Sequence, residues 1–116
     1  MSHSNYLPEF TKELNVLLKK YRSLNEDIKS FEGVIFTRPA GFGKNFTIIH
    51  NSEKLKIIKA RLMCKSLRSR DIRIIYAHHD DRLEFIYIEI YYKGNKDNED
   101  KERVKEYILK FKNSLR

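Results

Sequence analysis

The spacing of apolar residues changes once along this chain, from a helical repeat to a repeat of two, and that change restricts the folds open to it. Phe10, Leu14, Leu17, Leu18 and Tyr21 fall on one stripe of an amphipathic helix. Pro8 suits its first turn, where a missing N–H leaves no bond unmade. Ser23-Leu-Asn-Glu26 reads as a capping box opening a second helix, with Ile28 and Phe31 on its inner face and Gly33 near its end. So little chain separates the two helices that an antiparallel hairpin is expected. Pro39 to Lys44 reads as loop.

From residue 46 the alternation is that of strands. Phe46 to His50 is a short apolar run. In Lys56 to Cys64, Ile58, Ala60, Leu62 and Cys64 face one way, and Ile57, Lys59, Arg61 and Met63 the other. Ile72 to Ala77 and Leu83 to Lys93 follow, rich in β-branched and aromatic residues. His78-His-Asp-Asp-Arg82 reads as a hairpin turn and Ser66 to Arg70 as another. After a break at Gly94 to Asn98, a last helix is expected from about Glu99 to Leu115. Its stripe is Val104, Tyr107, Ile108, Phe111 and Leu115, with acidic residues at its start and Lys110, Lys112 and Arg116 at its end. The expectation is one α+β domain over residues 1–116. Two N-terminal helices pack on a three- to four-stranded antiparallel sheet, and a C-terminal helix follows.

Charge narrows the function. The net charge is +8, and between Glu53 and Arg73 eight basic residues face two acidic ones. Such a segment attracts nucleic acid or an acidic protein. No apolar run approaches the ~20 residues that span a bilayer. The first residues lack the apolar stretch of a signal peptide, and one cysteine, Cys64, cannot close an internal disulfide. A cytoplasmic protein, with no membrane partner, is expected.

Antiparallel pairing brings the end of the 56–64 strand, the start of the 72–77 strand and the end of the 83–93 strand to one end of the sheet. Parity then places Lys59, Arg61 and Met63 on one face with Arg73, Ile75 and Ala77, and with Glu89, Tyr91 and Lys93. Ile88, Ile90 and Tyr92 point the opposite way. Arg61, Arg73, Tyr91 and Lys93, with Lys59 further in and Lys65 at the rim, have the chemistry of a phosphodiester site. Arginine binds phosphate bidentately, lysine offers a point charge, and tyrosine stacks on a base or handles a proton. A solvated face of cross-strand ion pairs is the alternative. Glu89 serves there as a general base or as the partner that holds Arg61 or Arg73.

Other motifs carry less. His78, His79, Asp80 and Asp81 are metal-ligand types, but adjacent residues point apart, so no metal is expected. Gly41-Phe-Gly43-Lys44-Asn45 echoes a phosphate-binding loop, yet Arg38 stands in place of its first glycine and Asn45 in place of Ser or Thr. Cys64, on the apolar face of its strand, reads as a core thiol.

Three segments in order, Ile57-Ile-Lys-Ala-Arg-Leu62, Ile72-Arg-Ile-Ile-Tyr-Ala77, and Phe85 to Tyr92 running into Lys93-Gly-Asn-Lys96, resemble the RelE/ParE superfamily of toxins. These belong to type II toxin–antitoxin systems, often described as plasmid-stabilisation proteins. The resemblance spans residues 8 to 113. It implies a toxin that pairs with an acidic cognate antitoxin. In the RelE branch the toxin enters the ribosome and acts as an endoribonuclease on mRNA without metal or other cofactor. There the RNA 2′-OH attacks the adjacent phosphate while basic side chains stabilise the developing charge, and translation is inhibited. Carried over by position, the family's basic pair falls on Lys59 and Arg61, its next arginine on Arg73, and its later basic residue on Lys93 or Lys96. Three features depart from the pattern. The N-terminal strand is absent or reduced to about Asn5 to Leu7. The C-terminal tail lacks the histidine or tyrosine that several active members use as acid or base, and no arginine occurs between Arg82 and Arg103. The ParE branch, whose members poison DNA gyrase, and an inactive form that only binds its antitoxin therefore stay open.

Overall fold

A computed structural model describes residues 3–114. Leu115 and Arg116, expected in the last helix, lie outside the described residues. The elements are β1 (His3–Tyr6), α1 (Pro8–Leu18), α2 (Leu24–Thr37), a 3-10 turn (Gly43–Asn45), β2 (Phe46–Asn51), β3 (Leu55–Cys64), β4 (Ser69–His79), β5 (Glu84–Tyr92) and α3 (Lys101–Ser114). The fold is α+β, as the change of period indicates. Its sheet has five strands in the order β1-β5-β4-β3-β2.

The strand beyond the expected four is β1, which pairs parallel to β5. His-Ser-Asn-Tyr carries no apolar alternation, so the backbone ladder and one aromatic cluster hold it. The Tyr6 ring lies 4.7 Å from Phe10 and 5.2 Å from Tyr87. The α1 stripe packs as its spacing predicts, with Phe10, Leu14, Leu17 and Tyr21 buried. In α2 the helix continues past Gly33 to Thr37. The capping box does not form. Ser23 Oγ donates to the Asp27 carboxylate at 2.7 Å and accepts the Ser66 N–H at 2.8 Å, so it ties the helix to the β3–β4 turn.

The sheet separates two cores. Ile58, Ala60, Leu62, Ile72, Ile74, Tyr76 and Ile90 pack with α1 and α2. Leu55, Ile57, Ile75, Ala77 and Ile88 pack with α3 residues Val104, Tyr107, Ile108 and Phe111. Parity misplaces Ile88, which sits on the face opposite Ile90. The register passes from Ile75↔Glu89 to Tyr76↔Tyr87, so Ile88 is the extra residue of a bulge and the alternation restarts there.

The turn expected at 78–82 begins later. His78 and His79 are the last residues of β4 and are buried. The His78 ring stacks on Phe85 at 4.8 Å, and the ring of His79 meets Phe111 at 5.0 Å and hydrogen-bonds the Tyr107 hydroxyl. Apolar partners on both sides draw them into the ladder. No helix among the described residues is long and apolar enough to cross a membrane.

Candidate functional site

Helix α3 covers only part of its sheet face. It packs over the end that carries Leu55, Ile57, Ala77 and Ile88. Toward the other end the same face presents Lys59, Arg61 and Arg73. In the β3–β4 register Arg61 stands opposite Arg73, and in the β4–β5 register Arg73 stands opposite Tyr91. Directly opposed like charges destabilise a sheet. Here the two guanidiniums line a cavity of about 160 Å³ with Lys59 and Lys93. Lys93 reaches it because β5 pairing continues one residue further, the Lys93 N–H donating to the Asp71 carbonyl at 2.8 Å.

Arg73 is only 5% exposed, and its guanidinium donates to the Arg70 carbonyl. Among the described residues, Arg61, Arg73 and Lys93 make no ion pair. A nearly buried guanidinium without a carboxylate is costly unless an anion joins it. Lys59 differs, since its ammonium lies 3.0 Å from Glu99. Burial works to raise the Glu99 carboxyl, but hydrogen bonds from its own backbone N–H and from Lys59 outweigh it and hold the group below its usual range. Asp97 also lines the cavity. One of the four cations is thus neutralised and three are available.

The remaining expected residues lie elsewhere. Tyr91 is 6% exposed, and it belongs to a neighbouring groove with Lys96, whose ammonium lies 5.2 Å from the ring. Buried and covered, the ring offers no open face on which a base would stack. Burial first, then the Glu99 and Glu89 carboxylates, push its phenol up to about 12 against the opposing pull of Arg73. Lys96 is ion-paired with Glu89. Glu89 does not hold Arg61 or Arg73 as one reading of the sequence has it. Fully buried, it accepts the Asp100 N–H at 2.8 Å and so fastens the loop that precedes α3. Lys65 lies on a second, larger cavity on the α2 side, which Arg61 also borders.

Three residues of the cationic cavity escape sequence reasoning: Asn45, Thr47 and Asp97. Thr47 is the register partner of Lys59, so the alternation of β2 would have found it had that strand's pairing been known. Arg103 was also missed. Its guanidinium donates to both oxygens of Glu13 at 2.9 and 3.0 Å and to the Ile88 carbonyl at 3.1 Å, linking α3 to α1. No group of three metal-ligating side chains occurs among the described residues.

No family model matches the chain, and no curated protein matches it. Among solved structures it is similar to the archaeal RelE–RelB complex from Pyrococcus horikoshii. The TM-score is 0.57 at 16% identity, and the match covers 82% of this chain and 97% of that one. The chain therefore has a RelE-like fold.

Proposed function

We propose, from this RelE-like fold and its cationic cavity, that the protein is the toxin of a type II toxin–antitoxin pair and cuts mRNA on the ribosome. The observation that carries the reading is the opposition of Arg61 and Arg73, the latter nearly buried and, among the described residues, in no ion pair. A phosphodiester seated between the two guanidiniums and Lys93 would relieve their repulsion. It would also supply the anion that Arg73 lacks.

In the reaction the 2′-oxygen of the RNA bonds to the adjacent phosphorus, and the bond to the 5′-oxygen of the next nucleotide breaks. The attacking hydroxyl loses its proton and the leaving oxygen gains one. Charge accumulates on the non-bridging oxygens, where Arg61, Arg73 and Lys93 stabilise it. Lys59 becomes a fourth contact when it exchanges Glu99 for phosphate. The Tyr91 phenol, pushed up to about 12, is no base at neutral pH, and its part is to pack beside Arg73. The partner is an acidic antitoxin, a reading supported by the archaeal chain having been crystallised with RelB. The site of action is the cytosol.

A second reading has one observation in its favour. Of the side chains lining the cavity, lysine, arginine, asparagine, threonine and aspartate, none ordinarily titrates near neutrality. That suits a module that grips an anion without cutting, as a gyrase poison or an antitoxin-binding form would. Induced expression separates the two. An RNA cutter arrests translation, leaves supercoiling by purified gyrase unchanged, and is relieved by Arg73→Ala. Loss of supercoiling activity on adding the protein would contradict the cutting reading.

A further inference from the structure

Beside the cationic cavity the sheet is incomplete. Strand β2 begins at Phe46, opposite Ala60, so among the described residues β3 from residue 61 to 64 has no strand partner on that side. Helix α2 and the loop before β2 wall the gap, and a cavity of about 300 Å³ remains. That is nearly twice the volume of the cationic cavity and reaches the size at which pockets begin to hold organic ligands, about 300 Å³. Arg61 and Asn45 line both cavities, so the two are neighbours.

Its chemistry differs from that of its neighbour. The wall is aromatic. Phe31 and Phe46 stack with ring centroids 5.8 Å apart and planes 11° apart, and Phe46 and Phe42 follow at 6.2 Å and 27°. Phe42 ends the stack and is 57% exposed, with the Arg38 guanidinium 5.0 Å from its ring. The rim carries Arg61, Lys65 and Arg70. The one carboxylate in the lining, Asp27, is 3% exposed and engaged by the Ser23 hydroxyl and the Lys65 N–H. A planar aromatic surface rimmed with cations is how proteins hold unpaired bases of a single strand.

We infer that the cavity between α2 and the open edge of β3 receives the base of the nucleotide next to the phosphate held by Arg61 and Arg73. The inference rests on the RNA reading above and names a subsite for it. Phe42, the exposed end of the stack, supplies the stacking surface, with Phe46 and Phe31 behind it. Arg61, shared between the cavities, bridges phosphate and base, while Lys65 and Arg70 face the continuing backbone. An acidic peptide would satisfy the cations but not the ordered ring stack, which favours a nucleobase.

The test is a binding titration of the purified protein at low salt with two probes. One is a single-stranded hexaribonucleotide; the other is an abasic strand of equal length and charge. The base-bearing strand should bind roughly tenfold more tightly, as expected for one stacked base. The variant Phe42→Ala should lose most of that difference while leaving the abasic affinity unchanged. Phe42 is an exposed loop residue, so its removal does not threaten the fold. Equal affinity for the two strands, or a difference that survives Phe42→Ala, would overturn the inference and leave the cavity to a peptide or to no occupant. Arg73→Ala separates this inference from the reading beneath it. Unchanged abasic binding in that variant would count against the phosphate site, whereas a Phe42-dependent preference for bases would still stand.

Discussion

Arg61 of β3 and Arg73 of β4 are register partners on adjacent strands, and among the described residues neither guanidinium forms an ion pair. A sheet selected only for stability would carry a glutamate or a threonine at one of these positions. The pair therefore stores a modest cost that a bound anion removes. Replacing exposed Arg61 by Thr should stabilise the fold by about 0.2–1 kcal/mol in denaturant unfolding while weakening RNA binding. Destabilisation on making Arg61→Thr would show that the pair is held by interactions other than those described.

Much of this row was legible in the sequence, and the reason is local. Over the pairs Lys59↔Ile75, Arg61↔Arg73 and Arg73↔Tyr91 neither ladder shifts, so parity alone aligns these side chains. It fails at Ile88, where the bulge inserts a residue, and no feature of Tyr87-Ile88-Glu89 announces that insertion. His78-His79-Asp80-Asp81 has the composition of a turn, yet Phe85 across the hairpin and Tyr107 and Phe111 of α3 bury the two rings, and the α3 contacts come from a distant part of the chain. Strand β1 is faint in the sequence, absent or no more than about Asn5 to Leu7, because its residues are polar and its partner β5 is the last strand along the chain. The fate of Lys96 and of Glu89 depended on how the 93–100 loop folds back, which no periodicity encodes.

The buried histidines give a pH dependence of known sign. Burial lowers His78, with Asp80 opposing and Lys56 assisting, and burial together with Arg82 lowers His79 against Glu84 and Asp81. Both fall below the ordinary 6.5, so between that value and the depressed ones the unfolded chain binds more protons than the folded one. Stability is complete above about pH 6.5 and declines as pH falls below it. Thermal unfolding between pH 7.5 and 5 should show this decline, and His79→Phe should flatten it. An unchanged slope in His79→Phe would remove His79 from the explanation.

Glu89 fastens the loop that carries Lys93 and Lys96. The change Glu89→Gln keeps an acceptor for the Asp100 N–H but discharges the ion pair with Lys96. A loss of about 1–3 kcal/mol is expected. Amide hydrogen exchange should show faster exchange concentrated at residues 94–100, with β3 and β4 unaffected. Uniform loss of protection would place Glu89 in the global core instead.

Arg103 links α3 to α1 through Glu13 and to β5 through the Ile88 carbonyl. The pair is partly exposed, with side-chain exposures of 20% and 26%, so solvent screening reduces its worth. The bidentate geometry and the bond to Ile88 still make Arg103→Ala cost about 1–2 kcal/mol. Arg103 does not line the cationic cavity, so the variant should bind RNA like the native chain at a temperature where both are folded. Weaker binding there would mean that α3 shapes the cavity directly.

The anchoring of a scissile phosphate by Arg61, Arg73 and Lys93 is tested most directly by mapping transcript ends after induced expression, native chain against Arg73→Ala. New ends in frame with codons should appear with the native chain and be absent with Arg73→Ala. Intact transcripts during growth arrest, or the same ends in both strains, would contradict it.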